Sequence, residues 1–123
     1  MKAASFLQGL FGAAPASIEP VALVAQLDQG QPPAILDVRG ADEFHGALGR
    51  IPGAHNVPLP DLARALPGLE ALKHSRVVVV CRTDRRSAAA AALLSAAGWR
   101  AEVLRGGMEL WNRLGYPVSR AQG

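Results

Sequence analysis

Four consecutive valines, Val77 to Val80, lie just upstream of an alanine-rich segment, Ser87 to Ala97. Valine is stiff at χ1 and favours strands, and an uninterrupted apolar run is typical of a strand buried on both faces. The alanine-rich segment has the composition of a helix, and Gly98 follows it as a helix terminator. A buried strand with a helix directly after it predicts a parallel sheet covered by helices.

The rest of the chain continues this alternation. Further strands are predicted at residues 34–38, 54–59 and 99–104. Helical segments are predicted at residues 17–27, 40–44, 60–72 and 107–114, the first with Ser17 as its N-cap and Pro20 in its first turn. The sequence therefore predicts an α/β fold, a parallel sheet of about five strands with helices on both faces.

The chain has 123 residues, half of them hydrophobic and 19% charged, which suits one globular domain. We place this domain at residues 16–120. The first 15 residues faintly resemble a signal peptide, but glycines and a glutamine interrupt their apolar part, and we favour a short amphipathic lead-in helix. No run approaches the ~20 apolar residues of a membrane span.

Cys81, the only cysteine, directly follows the valine strand. A thiol at a strand-to-helix turn faces backbone N–H groups and the positive end of a helix dipole, and nearby guanidinium groups add to that field. These features favour the nucleophilic thiolate over a merely buried thiol. The candidate active-site loop consists of Cys81, Arg82, Thr83, Asp84, Arg85, Arg86 and Ser87.

The formal net charge of +3 has a local origin. Three arginines and one aspartate leave two positive charges within this loop, and no basic run occurs elsewhere, so the sequence does not predict a nucleic-acid partner. A single cysteine excludes an internal disulfide, and we predict a cytoplasmic protein. The three histidines, His45, His55 and His74, lack metal-ligand spacing, and neither a metal nor a cofactor is predicted.

Four blocks of sequence, in order, resemble the single-domain rhodaneses, a family of sulfurtransferases. The DVR-x-x-x-E-F block of that family is matched by Asp37-Val38-Arg39 with Glu43 and Phe44. Its G-H-I-P-G-A-x-N-I-P block is matched by residues 49–59, with Arg50 in place of histidine. Residues 81–87 lie where its active-site loop belongs, and residues 106–118 match its C-terminal G-G-x-x-x-W…G-x-P-V block.

This resemblance implies a rhodanese-like domain that moves sulfane sulfur through a persulfide on Cys81. The expected donor is a small anion such as thiosulfate, or a thiol persulfide, and the expected acceptor is cyanide, a thiol or a partner protein. The loop backbone would cradle the sulfur, with Arg86 closing the loop. Arg82 and Arg85 are expected to face solvent and attract the anionic donor.

Three charged residues have alternative interpretations. Asp37 and Arg39, at the neighbouring strand end, are expected to brace the loop by hydrogen bonds rather than to take part in the chemistry. Asp84 stands where many family loops carry glycine. It either opposes anionic donors by its charge or serves as the N-cap of the following helix, and Asp84→Gly would separate the two by thiosulfate KM and melting temperature.

Two other functions compete with sulfur transfer. A phosphatase or arsenate reductase of the related cysteine-containing type needs a loop one residue longer, with arginine six positions after the cysteine, and here Ser87 holds that position. A non-catalytic binding or sulfur-carrier module would keep the fold with an idle cysteine. The arginine-rich setting of Cys81 favours catalysis over both.

Overall fold

A computed structural model describes residues 15–120 of the chain, so the predicted lead-in helix lies outside the described residues. The strands are β1 (Ser17–Ile18), β2 (Ala34–Asp37), β3 (His55–Asn56), β4 (Arg76–Val80) and β5 (Arg100–Leu104). The α-helices are α1 (Pro20–Leu27), α2 (Ala41–Phe44), α3 (Leu62–Ala65), α4 (Arg85–Ala96) and α5 (Gly107–Arg113). All pairings in the sheet are parallel, in the order β1-β5-β4-β2-β3.

The sheet has an apolar core on each face, as the sequence predicts. Successive valines of β4 alternate between the two cores, because successive side chains of a strand point to opposite faces. Val77 and Val79 pack towards α3 and α4, whereas Val78 and Val80 pack towards α1 and α5. All four valines are fully buried, which confirms the predicted α/β fold with a covered parallel sheet.

The first helix begins later than predicted. Ser17 does not cap it, since Ser17 and Ile18 form β1 and pair with Val103 and Leu104 of β5. The helix starts at Pro20, and Glu19 holds the N-cap position. The physical reason is that the residue before a proline is restricted to extended conformations, so the chain stays extended up to Glu19. Strand pairing also buries Ile18.

Two other predicted elements are shorter or less regular than expected. Only His55–Asn56 of the predicted strand 54–59 is in register with β2, although the N–H groups of Val57 and Leu59 still donate to the Asp37 and Val38 carbonyls. The predicted helix 60–72 is a 3₁₀ turn, the short α3 and a 3₁₀ segment, Leu66–His74, with non-helical dihedral angles at Leu69. Pro67 and Gly68 lie in that segment, and both disfavour a continuous α-helix.

Candidate active site

The carboxyl ends of β2, β4 and β5 bring the predicted site residues together. Asp37 ends β2 and pairs in register with Val80, the last residue of β4, so Asp37 lies beside the start of the Cys81 loop. The turn after β5 meets this loop from the other side, because the Met108 N–H donates to the Cys81 carbonyl over 2.9 Å. The ends of these three strands therefore converge at one edge of the sheet.

The Cys81 thiol is buried, with 1% of the residue exposed, and Ser87 is its immediate partner. The Ser87 N–H donates to Cys81 Sγ over 3.3 Å, and the thiol donates to Ser87 Oγ over 3.2 Å. The Ser87 hydroxyl in turn donates to the Asp84 carbonyl over 3.1 Å. Ser87 therefore fixes the sulfur position and supplies an N–H that stabilises negative charge on it.

The backbone of the loop has two distinct sides. The carbonyls of Cys81 and Arg82 accept from the N–H groups of Met108 and Glu109 in the first turn of α5, over 2.9 and 3.0 Å. A trans peptide holds its C=O and N–H in opposite directions, so the N–H groups of Arg82 and Thr83 face away from α5. Within residues 15–120, the N–H groups of residues 82–86 donate to no acceptor.

Gly107 makes this close approach of α5 to the loop feasible. Its φ is 55°, in the left-handed region. A Cβ at this position would lie 2.5 Å from the Thr83 carbonyl oxygen and 2.6 Å from the Arg82 carbonyl carbon. The loop backbone therefore rests directly on a glycine, and any side chain there would displace it.

Two of the three loop arginines are held by carboxylates that the sequence analysis did not assign to them. Arg86 Nη1 and Nη2 donate to Glu43 Oε1 and Oε2 of α2, over 2.6 and 2.9 Å. Arg82 Nε donates to Glu109 Oε2 of α5 over 2.6 Å, although the Arg82 side chain stays 61% exposed. Arg85 is exposed and has no ion-pair partner within residues 15–120.

The Glu43–Arg86 pair stays ionised over a wide pH range. Hydrogen bonds from Arg86, helped by the Gly40 N–H and the nearby guanidinium charges, outweigh partial burial and lower the pKa of Glu43 to about 2. The pKa of Arg86 is raised above its ordinary value, chiefly by its hydrogen bonds to Glu43, with smaller Coulomb contributions that include Cys81. In the sequence Arg86 directly precedes Ser87, whose N–H donates to Cys81 Sγ.

Asp37 and Arg39 form a buried ion pair behind the site. Arg39 Nη2 and Asp37 Oδ2 are 2.8 Å apart, with the side chains 1% and 0% exposed. Arg39 also donates to the Glu43 and Gly49 carbonyls, over 3.2 and 2.8 Å. The pair therefore contacts the segment that carries Glu43 rather than the Cys81 loop itself, and its connection to the loop runs through Glu43 and Arg86.

Asp84 occupies the N-cap position of α4, but its side chain makes no capping hydrogen bond. Its Oδ1 instead accepts from the Gly106 N–H over 2.8 Å. Asp84 therefore lies at the predicted N-cap position, but the prediction that its side chain caps the helix is wrong. The carboxylate instead links the loop to the turn before α5. The helix also begins at Arg85, earlier than the predicted Ser87.

We expect Asp84→Asn and Asp84→Ala to separate the hydrogen bond of Asp84 from its charge. Asparagine retains an oxygen that can accept from Gly106, so Asp84→Asn should keep the melting temperature and lower the apparent KM for thiosulfate. Asp84→Ala should lower the same KM and also the melting temperature, by a few degrees, because the hydrogen bond is lost. Thermal melts and steady-state kinetics test both expectations. If the asparagine variant melts at as low a temperature as the alanine variant, then the hydrogen bond between Asp84 and Gly106 does not stabilise the fold.

Three further observations concern metal ligands, the two tryptophans and membrane-spanning helices. Within the described residues, no group of three or more His, Cys, Asp or Glu side chains could hold a metal ion. Trp99 and Trp111 are buried in the two cores, as packing residues. No helix in residues 15–120 is long and apolar enough to cross a membrane.

Comparison with known proteins identifies a family. The sequence profile described as "Rhodanese-like domain" matches residues 19–114. The adenylyltransferase and sulfurtransferase MOCS3-1 of Zea mays is 40% identical over 92 residues, which are 70% of this chain and 19% of that protein. The chain thus spans about a fifth of the length of this curated relative.

Two solved structures are similar throughout. The rhodanese-related protein of Thermoplasma volcanium has a TM-score of 0.76 at 30% identity, covering 86% of this chain and 99% of that one. The rhodanese-like domain protein of Staphylococcus aureus has a TM-score of 0.73 at 31% identity, covering 85% and 98%.

Proposed function

Since the chain belongs to the rhodanese-like domain family, we propose that it is a sulfurtransferase that carries sulfur as a persulfide on Cys81. One observation carries the proposal. The only cysteine ends a buried strand inside a loop whose N–H groups at residues 82–86 have no acceptor within residues 15–120. Free N–H donors in a loop that starts at a buried thiol suit an anionic sulfur atom bound at that place. The similar protein of Zea mays is named a sulfurtransferase, which supports the same chemistry.

In the first half-reaction the Cys81 thiolate attacks the sulfane sulfur of the donor. With thiosulfate, a bond forms between Cys81 Sγ and the outer sulfur, the S–S bond of thiosulfate breaks, and sulfite leaves with the electron pair. The loop N–H groups, including that of Ser87, would stabilise the negative charge that remains on the persulfide. Arg86, held by Glu43, would add a positive charge to the same loop.

In the second half-reaction an acceptor removes the outer sulfur. Cyanide, a low-molecular-weight thiol or a partner-protein thiol would attack it, and the Cys81 thiolate would leave. With no second cysteine in the chain, discharge must be intermolecular, and turnover should follow ping-pong kinetics. Asp37 and Arg39 would support the site by holding the segment that carries Glu43.

The geometry supports sulfur transfer better than oxyanion hydrolysis. Ser87 stands six positions after Cys81, where the related phosphatases and arsenate reductases require arginine. Its N–H and hydroxyl contact the sulfur directly. The cradle is therefore closed by a small side chain, which suits one added sulfur atom rather than a tetrahedral oxyanion.

Intact-mass measurement tests the proposal. After exposure to thiosulfate or glutathione persulfide, the protein should gain the mass of one sulfur atom. It should return to its starting mass on addition of cyanide or a thiol, at a rate that depends on acceptor concentration. A protein that gains no sulfur from either donor, although its cysteine reacts with a thiol probe, would show a non-catalytic module instead.

A further inference from the structure

A cavity of about 480 Å³ opens at the amino edge of the sheet, where β4 and β5 begin. It is lined by residues 31–33, residues 74–76 and Arg100. Arg76 begins β4 and Cys81 follows the other end of that strand, roughly 16 Å away at ~3.3 Å per residue. The cavity therefore lies at the opposite edge of the sheet from the candidate active site, and its volume is typical of small-ligand pockets.

Two arginines stand side by side at this cavity. Arg76 and Arg100 are register partners on the parallel strands β4 and β5. Their Cα atoms are therefore about 5 Å apart, and their side chains leave the same face of the sheet. Like charges on directly paired residues destabilise a sheet. The pair is thus unfavourable unless negative charge lies close to both arginines.

Only one of the two arginines has such a partner within the described residues. Arg76 Nε and Nη2 donate to Glu102 Oε1 over 3.2 and 2.6 Å, and Nη1 donates to Gln26 Oε1 over 2.9 Å. The exposed side chain of Arg100 makes no hydrogen bond or ion pair with another residue of 15–120. One carboxylate therefore faces two guanidinium groups, which leaves one positive charge in excess.

The other lining groups add hydrogen-bond donors. The Ser75 hydroxyl, the His74 ring and the Gln31 amide can each donate, and all three residues are exposed. Among the described residues that line the cavity, none is acidic, and Asp28 lines a neighbouring cavity instead. A carboxylate ligand offers two oxygens, whereas a phosphate group offers at least three. This number of donors therefore matches phosphate better than a carboxylate.

We propose that this cavity binds a phosphate group, either free or carried by a small organic molecule, in contact with Arg100. The planar guanidinium of Arg100 would donate to two phosphate oxygens at once. The negative charge of the phosphate would also offset the repulsion between Arg76 and Arg100. Since residues 81–87 do not line the cavity, binding here is separate from sulfur transfer at Cys81.

Amide chemical shifts of the isotope-labelled full chain locate the binding site. Inorganic phosphate and adenosine monophosphate are each titrated at constant ionic strength, with acetate as the carboxylate control. We expect saturable shifts at Gln31, Ser75 and Arg100 with both phosphates, and a Kd of about 1 mM or lower. Tighter binding of adenosine monophosphate would identify an organic phosphate as the ligand, and equal affinities would identify free phosphate. Shifts confined to residues 82–86, equal binding of acetate, or no saturation by about 10 mM would overturn the inference.

Arg100→Gln tests the contact that the proposal assigns. It should weaken the affinity for phosphate about tenfold, as for the loss of charge-assisted hydrogen bonds, and the chain should stay folded because Arg100 is exposed. Arg113→Gln is the matched control, since Arg113 is an exposed arginine of α5 with no ion-pair partner within residues 15–120. The control should change the affinity less than about twofold.

Thermal melts give a second readout. Phosphate should raise the melting temperature of the wild type and of Arg113→Gln, but not that of Arg100→Gln, because a ligand stabilises only the chain that binds it. Equal weakening of phosphate binding in the two variants would show attraction by net charge alone and would overturn the inference.

Discussion

Cys81→Ser is expected to lower sulfur transfer at least about 10³-fold, because a serine hydroxyl is a poor nucleophile at neutral pH and forms no persulfide. The fold should persist, since serine is close to cysteine in size and the site already holds polar partners in Ser87. The expected readouts are absent turnover, no gain in mass with any donor, and a cooperative thermal melt.

The single cysteine makes this result unambiguous. No other thiol in the chain can form a persulfide. Any gain in mass by the variant would therefore show that sulfur binds to a group other than a cysteine. Retained turnover within about tenfold of the wild type would end the sulfurtransferase assignment.

Gly107→Ala is expected to disable the site by displacing the Cys81 loop, whose backbone packs against Gly107. Alanine at φ 55° costs about 1–2 kcal/mol of backbone strain, and the overlap with the loop backbone adds about 1–3 kcal/mol. Because the loop must move to make room, the cradle geometry changes, and we expect kcat/KM to fall about 100-fold. Chemical unfolding and steady-state kinetics measure the two effects.

Gly115→Ala and Gly68→Ala are the matched controls. Gly115 has φ 76° but no atom within 4 Å of an added Cβ, so its variant carries the backbone strain alone. Gly68 has neither the strained φ nor a close atom. If Gly107→Ala behaves like Gly115→Ala in both stability and activity, then the contact between α5 and the loop does not position the active site.

The parts of the fold that the sequence predicts well are those that local pattern determines. The valines of β4 favour a strand and the alanines of α4 favour a helix, and each preference can be recognised from a few neighbouring residues. By contrast, β1 has two residues, and its extended conformation depends on pairing with β5, more than 80 positions away in the chain. No local pattern contains that information.

In the candidate site, too, the sequence predicts neighbouring residues well and distant partners poorly. Cys81, Ser87 and the loop between them are contiguous, and their proximity follows from the strand-loop-helix order. The partners of Arg86 and Arg82 are 43 and 27 residues away in sequence. Glu43 lay within a recognised block, DVR-x-x-x-E-F, which was the available signal, but its partner could be assigned only from the fold. Glu109 had no comparable signal apart from its place in the last block.

The two-sided backbone of the Cys81 loop has a consequence for redesign. The carbonyls of Cys81 and Arg82 bond to α5, and in the proposed function the N–H groups bind sulfur, so neither set of backbone bonds requires the side chains of Arg82, Thr83 or Arg85. Those three positions are exposed and can be randomised in a library without dismantling the sulfur cradle. Donor preference in this scaffold should therefore be tunable by directed evolution at these three sites, whereas Gly107 and Ser87 must be held constant.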